Sequence, residues 1–174
     1  MSFIAIDLDG TLINNNHEIS TENVKAIKHA MEKGYEVVIA TGRAYFDVQR
    51  ILENAGLSLY IISANGSTVH SLSGTKILSV TIPAKKVKQI VPWLDQHHYY
   101  YEIFTDNGIF TPKDGRDILK DEMQQIKNRI STEEFSLMEF ELEKQFSQSG
   151  FVFMDHYEEV FQAAKEAAIH DVIL

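Results

Sequence analysis

A short apolar run that ends abruptly in acidic and turn residues constrains the fold of this chain more than any other feature. Residues 3–6 (F-I-A-I) are typical of a strand buried on both faces, and Asp7, Leu8, Asp9 and Gly10 follow at once. In open α/β sheets ligands bind outside the carboxyl ends of the strands, so we expect a site here. Asp7 and Asp9 can face that site while Leu8 points away, and Gly10 allows a sharp turn.

Two neighbouring carboxylates need a positive partner, because they repel each other and each costs free energy to desolvate. Mg²⁺ is the simplest partner, since it prefers oxygen ligands and often completes its shell with a substrate phosphate. One alternative is a strand that merely ends in an acidic turn. Another is a calcium-binding EF-hand loop starting at Asp7, which is disfavoured because Leu12 stands where that loop needs glycine and a strand precedes it.

Composition excludes several classes of function. The formal net charge of −9, with no basic stripe, argues against a nucleic-acid partner or an anionic membrane surface. The chain has no cysteine, which excludes disulfides, thiol catalysis and zinc-thiolate sites. Residues 1–6 lack the basic segment of a signal peptide, and their apolar run is too short to span a membrane. We therefore expect a cytoplasmic protein.

A second strand is expected to reach the same edge of the sheet. A helix over residues 21–33 and a strand over 37–40 form a β-α-β unit, which brings Thr41, Gly42 and Arg43 near Asp7. The Thr41 hydroxyl and neighbouring amides can bind phosphate oxygens, or Thr41 can simply cap the next helix. Arg43 can either contact phosphate or form a two-pronged ion pair with a carboxylate of the flap over residues 13–19.

The loop over residues 13–19 is polar and rich in turn residues, so we predict a flap beside the site. His17 is interpreted there as an exposed histidine, with a substrate contact as the alternative. Further on, the pattern predicts a helix over 45–55, a strand over 59–63 and a hairpin over 68–71 and 76–80. Asn65 starts an N-G turn, and it either is structural or lies at the rim of the site.

The chain changes character at Pro83, where a small α+β unit begins. The pattern predicts a helix over 84–98, broken or kinked at Pro92 unless that residue opens a new turn. A hairpin over 99–105 and 109–111 follows. About half of its aromatic residues are expected in the core, and the others could line the entrance to the expected site: Tyr99, Tyr100, Tyr101 and Phe104. Helices over 117–130, 132–145 and 157–168 and a strand over 171–174 complete the prediction.

The run from Asp7 to Leu12 (D-L-D-G-T-L) resembles the first motif of the haloacid dehalogenase (HAD) superfamily, and T-G-R resembles its Cof-type phosphatase branch. The resemblance implies Asp7 as the nucleophile that forms an aspartyl-phosphate. It implies Asp9 as the acid that protonates the leaving oxygen and then the base that activates water. It also implies Mg²⁺ held by the Asp7 side chain and the Asp9 backbone carbonyl. The implied substrate- and phosphate-binding residues are Leu8, Gly10, Thr41, Gly42, Arg43 and Asn65.

The fold implied is α/β, with a partial Rossmann-like parallel sheet core over residues 1–82 and an incomplete C2-type cap over 83–174. In this family a lysine and an acidic motif (G-D-x-x-N-D) follow the cap, and nothing in residues 112–174 matches the acidic motif. We therefore interpret the chain as cut short within its cap, which would leave an exposed sheet edge and apolar faces.

The function implied is that of a Mg²⁺-dependent phosphomonoesterase acting on a small phosphorylated metabolite. A phosphomutase of the same superfamily would share the aspartyl-phosphate but return the group to its substrate. A truncated chain that binds metal or phosphate without turnover is the non-enzymatic alternative.

Overall fold

The computed structural model describes residues 2–147, 151–154 and 169–173, which divide into two compact units at Thr81 and Ile82. The first unit contains β1 (Ser2–Ile6), α1 (Thr21–Glu32), β2 (Tyr35–Ala40), α2 (Tyr45–Asn54), β3 (Tyr60–Ser63), β4 (Thr68–His70) and β5 (Lys76–Ser79). Within the described residues, no helix combines the length and the apolar character needed to cross a bilayer.

The sheet of the first unit has the strand order β1-β2-β3-β4-β5. The first three strands are parallel because α1 and α2 cross back between them, whereas β4 and β5 return as antiparallel hairpins. Ser20 caps α1 by accepting a hydrogen bond from the Asn23 amide (3.2 Å). This unit confirms the predicted α/β class and places the ends of β1 and β2 side by side.

The core of the first unit lies on the sheet face that carries both helices. Residues Ile27, Val48, Ile51 and Leu52 of the helices pack there with Val37, Ile39 and Ile61 of the strands. The prediction that the first strand is buried on both faces is wrong, because β1 pairs only with β2 among the described strands and leaves Phe3 72% exposed. The exposed sheet edge that we expected is therefore found at β1.

The second unit contains α3 (Ala84–Gln96), β6 (Glu102–Thr105), β7 (Gly108–Pro112), α4 (Gly115–Ile126), α5 (Thr132–Ser147), β8 (Phe151–Met154) and β9 (Ile169–Ile173). Its sheet has the order β8-β7-β6-β9, with β7 and β8 parallel and the other neighbours antiparallel. Tyr101 and Phe104 are buried while Tyr99 is exposed, so the prediction that about half of these aromatic residues lie in the core is confirmed.

The second unit differs from the prediction at Pro92 and at strand β8. Pro92 lies inside α3, which runs from Ala84 to Gln96 without a break, so the predicted break is not found. Val87 and Val91 are fully buried and hold this helix in the core of the second unit. Strand β8 was not predicted, since a run of four apolar residues carries no clear periodicity. The helix predicted over 157–168 falls outside the described residues.

Candidate active site

The turn that follows β1 gives the first motif its shape. The Ile13 amide donates to the Leu8 carbonyl (3.1 Å), which closes one wide turn over Leu8–Leu12. Gly10 takes a positive φ of 69° in this turn, a conformation that glycine adopts without strain. The Leu8 side chain is fully buried, so Leu8 can meet a ligand only through its backbone. Asp7 and Asp9 are left exposed at the strand end.

The segment after β2 forms the second part of the site. Thr41 is buried, and its hydroxyl accepts a hydrogen bond from the Arg43 amide (3.2 Å). The Arg43 carbonyl in turn accepts from the Ala64 amide (2.8 Å), which ties this segment to the end of β3. The alternative that Thr41 caps the next helix is wrong, because Ala44 is the N-cap residue of α2.

The two segments meet through the guanidinium of Arg43. Its Nε donates to Asp9 Oδ2 (2.8 Å) and its Nη2 donates to Asp9 Oδ1 (2.6 Å), so the fork holds both oxygens of one carboxylate. We predicted a fork as one alternative, but its carboxylate comes from the first motif and not from the flap. The hydrogen bond from Arg43 lowers the pKa of Asp9 and keeps this carboxyl ionised.

His17 contradicts the prediction of an exposed loop histidine. Its Nδ1 lies 2.7 Å from Arg43 Nη2, and the residue is half-buried. A lone histidine in a polar loop shows no partner in the sequence, because the partner is 26 positions away and is brought close only by the parallel pairing of β1 and β2. The flap itself is present, and Ile13 and Ile19 form its antiparallel bridge.

Asn65 lies at the T-G-R segment as well as in a turn. Asn65 has a φ of 53°, in the left-handed region that asparagine tolerates, and it links the antiparallel strands β3 and β4. A Cβ atom placed on Gly42 would lie only 2.8 Å from Asn65 Oδ1. The structural interpretation and the rim interpretation of Asn65 are therefore compatible, and Gly42 is the residue that makes the close approach possible.

This close approach predicts that Gly42→Ala destabilises the protein by about 1–3 kcal/mol, the usual cost of overpacking. Asn65→Gly should remove most of that cost, since it deletes the clashing side chain and suits the positive φ. Urea unfolding of the two single variants and the double variant measures the coupling. Additive effects of the two substitutions would show that the contact is not what restricts position 42.

Asp47 is a carboxylate near the site that the sequence did not reveal. It lies in the first turn of α2, is only 4% exposed, and accepts a hydrogen bond from Arg50 Nη2 (3.2 Å). Burial raises the pKa of Asp47, while the charges of Arg50 and Arg43 oppose that shift. Sequence alone favours an ordinary exposed aspartate near a helix start, so no signal in the chain would have identified it.

These opposite shifts predict that Asp9 titrates below, and Asp47 above, the ordinary aspartate pKa of about 3.9. The Asp9 interaction stabilises the fold above that ordinary pKa, and its contribution is lost as the pH falls through the lowered value. The penalty for burying ionised Asp47 has the opposite sign and disappears as the pH falls. Carboxyl ¹³C NMR titration measures both pKa values. If both lay above, or both below, the ordinary aspartate pKa, the result would contradict the geometry.

Comparison with known proteins identifies the family. The sequence model of the haloacid dehalogenase-like hydrolases matches residues 4–172. The chain belongs to the haloacid dehalogenase-like hydrolase family. A solved haloacid dehalogenase-like hydrolase from B. subtilis superposes with a TM-score of 0.80 at 39% identity, over 99% of this chain and 60% of that one. The predicted family and fold class are therefore confirmed.

Two curated relatives are similar over nearly the whole chain. The phosphatase YwpJ of Bacillus subtilis (strain 168) is 39% identical over 99% of this chain and 61% of its own length. The 5-amino-6-(5-phospho-D-ribitylamino)uracil phosphatase YwtE of the same organism is 38% identical over 95% of this chain and 57% of its own. The chain thus spans about 60% of the length of these two relatives.

The donor atoms at the site suit a hard cation, as expected for a haloacid dehalogenase-like hydrolase. Asp7 offers an exposed carboxylate, whereas both carboxylate oxygens of Asp9 are bonded to Arg43, which leaves the Asp9 backbone carbonyl for a metal. No cluster of three or more acidic or histidine side chains suited to a metal occurs in the described ranges. The exposed Asp7 carboxylate is a hard oxygen donor of the kind that Mg²⁺ accepts, and a small number of protein ligands suits an ion that keeps several waters.

The second unit has a cavity of its own, of about 780 Å³. It is lined by residues that include Asp95, Tyr99, Tyr101 and Asp114, and the Tyr101 hydroxyl donates to Asp95 Oδ1 (2.6 Å). None of the predicted site residues lines it. The candidate site therefore rests on the geometry at the ends of β1 and β2 and not on this cavity.

Proposed function

We propose that the protein is a Mg²⁺-dependent phosphomonoesterase that acts on a small phosphorylated metabolite through an aspartyl-phosphate at Asp7. The observation that carries this proposal is the fork of Arg43 on Asp9, beside the strand end that exposes Asp7. A nucleophile, an acid-base group and a cation that can contact phosphate then lie at one edge of the sheet. The first motif supplies the first two of these groups, and T-G-R supplies the third.

The reaction divides into two displacements at phosphorus. An oxygen of Asp7 forms a bond to phosphorus while the bond to the leaving oxygen breaks, and Asp9 delivers a proton to that oxygen. Asp9 then takes a proton from water as the water oxygen attacks phosphorus and frees Asp7. The products are an alcohol and inorganic phosphate, and both aspartates return to their starting states.

The contact between Arg43 and Asp9 favours the basic form of Asp9, since it lowers the pKa of that carboxyl. The acid step needs the protonated form. A phosphate dianion attracts the same guanidinium, so substrate binding would weaken the bonds from Arg43 to Asp9, and it would bring negative charge beside that carboxyl; both changes favour uptake of a proton from solvent by Asp9. In this proposal Arg43 couples the arrival of substrate to the protonation of Asp9.

The proposed metal ligands are the Asp7 carboxylate and the Asp9 carbonyl, with water and substrate completing the shell. Bound Mg²⁺ would supply charge neutralisation for the phosphoryl group. Thr41 and the amides near Gly42 and Gly10 are the proposed contacts for phosphate oxygens, and Asn65 is the proposed rim residue.

The names of the relatives support the substrate class. One is a 5-amino-6-(5-phospho-D-ribitylamino)uracil phosphatase, and an HMP-PP phosphatase of Yersinia pestis (strain Pestoides F) is 33% identical over 66% of this chain and 42% of its own length. Both names describe phosphatases, and both named compounds are small phosphorylated molecules. We also propose that residues 83–174 belong to a C2-type cap that selects the leaving group.

Phosphate release from p-nitrophenyl phosphate tests the proposed function in the full-length gene product. We expect turnover that EDTA abolishes and that added Mg²⁺ restores. Turnover that is insensitive to EDTA would rule out the metal dependence. Calorimetric binding of Mg²⁺ and phosphate without any turnover would instead favour a binding protein over an enzyme.

A further inference from the structure

The flap holds His17 in a backbone conformation that is uncommon for residues other than glycine. His17 has a φ of 57°, in the left-handed region that favours glycine and asparagine. The Asn14 side chain fixes the loop around it, because its Oδ1 accepts from the amides of Asn16 (2.9 Å) and Glu18 (3.1 Å). An uncommon backbone conformation that the surroundings hold in place is frequent at functional positions. In His17 this conformation places the imidazole ring against Arg43.

The ring contacts the same nitrogen that binds Asp9. Arg43 Nη2 lies 2.7 Å from His17 Nδ1 and 2.6 Å from Asp9 Oδ1. A guanidinium can only donate, so Nδ1 must accept, and the neutral ring carries its hydrogen on Nε2. The two hydrogens of one Arg43 nitrogen are thus divided between His17 and Asp9.

We propose that His17 is a positioning residue that sets the plane of the Arg43 guanidinium against the Asp9 carboxylate. The Arg43 side chain is only 15% exposed, yet its two bonds to Asp9 go to a carboxylate that is 51% exposed. Such a carboxylate can turn in solvent and carry the fork with it. The bond to His17 adds a third fixed point from a different segment of the chain. This inference rests on the proposed acid-base role of Asp9 and adds the residue that orients it.

A pair of substitutions separates positioning from loop structure. His17→Gly removes the acceptor and suits the positive φ, so the flap should fold at least as well as in the wild type. His17→Asn also tolerates that φ and places an amide oxygen near the position of Nδ1. A purely structural role predicts no loss in the glycine variant. A positioning role predicts a loss in the glycine variant and recovery in the asparagine variant.

NMR of the 174-residue chain gives the first readout, and it requires neither metal nor turnover. We expect the Arg43 Nε hydrogen to exchange with solvent roughly three- to tenfold faster in His17→Gly, as for one lost hydrogen bond, and near the wild-type rate in His17→Asn. Long-range ¹⁵N spectra should show His17 Nδ1 without a hydrogen. His97 is the internal control, because its Nδ1 lies 2.8 Å from the Trp93 carbonyl and must donate.

Kinetics of the full-length gene product give the second readout. We expect His17→Gly to lower kcat roughly three- to tenfold with KM unchanged, and His17→Asn to restore it. Unchanged Arg43 exchange in His17→Gly, or a hydrogen on His17 Nδ1, would overturn the inference. If the wild type hydrolyses no phosphate ester, the proposed function fails, and the NMR result alone still decides whether His17 positions Arg43.

Discussion

Replacing Asp7 with asparagine is expected to lower phosphate release by the full-length gene product on the order of 10³-fold or more. An amide is too weak a nucleophile to attack phosphorus, and it also offers Mg²⁺ a neutral ligand in place of a charged one. Because Asp7 is exposed at the end of β1, the substitution should leave the fold unchanged. Steady-state kinetics with p-nitrophenyl phosphate measure the effect, and thermal unfolding checks the fold.

Asp121→Asn is the matched control for this experiment. Asp121 is an exposed aspartate on α4 in the second unit, so the same chemical change there should leave kcat and KM within twofold, roughly the scatter of a surface change. Comparable losses in the two variants would mean that the effect comes from net charge or folding and not from the nucleophile. Full activity in Asp7→Asn would remove Asp7 from the mechanism.

Exchanging Arg43 for lysine is expected to lower kcat/KM roughly 10- to 100-fold, although the positive charge is kept. A charge-assisted hydrogen bond contributes about 1.5–3 kcal/mol, and an ammonium cannot reproduce the fork on Asp9 together with the bond to His17. The pKa of Asp9 should rise toward its ordinary range, since the Arg43 hydrogen bond is the main cause of its lowering. Kinetics and carboxyl NMR titration measure the two effects.

Arg50→Lys provides the comparison for Arg43→Lys on the same segment. Arg50 bonds the buried Asp47 carboxylate through Nη2 at 3.2 Å, and its own side chain is 43% exposed, so the ammonium of lysine can keep a positive charge and a hydrogen bond beside that carboxylate. We expect activity close to the wild type for Arg50→Lys. If Arg43→Lys were equally mild, a simple positive charge would be enough at position 43, and the geometry of the fork would carry no function.

The sequence predicted the elements of the first unit to within a few residues, because each carries a strong local signal. Ser20 starts α1 and Gly34 follows its end, and the apolar spacing of α2 is regular. The burial of β1 was mispredicted for a different reason. An apolar run indicates a strand that suits a core, but whether other elements cover its two faces depends on the tertiary arrangement, which is not a local property.

The candidate site was predictable where it depends on strand ends and unpredictable where it depends on side-chain partners. The parallel pairing of β1 and β2 followed from the β-α-β pattern, and it brought Arg43 to Asp9. The contact of His17 with Arg43 and the burial of Asp47 depend on tertiary packing at long sequence separation. A motif can therefore be identified from the sequence, whereas the residues that contact it can be identified only from a structure.

Trapping the phosphorylated form of Asp7 tests the central claim most directly. Borohydride reduces an acyl phosphate to an alcohol, so a phosphorylated aspartate becomes homoserine, which peptide mass spectrometry detects by position. We expect homoserine at position 7 when full-length Asp9→Asn protein is quenched during turnover of p-nitrophenyl phosphate: its leaving group needs little protonation, so the intermediate still forms, whereas loss of the base slows its hydrolysis. Asp7→Asn protein should give none. Phosphate release without homoserine at position 7 would contradict the account.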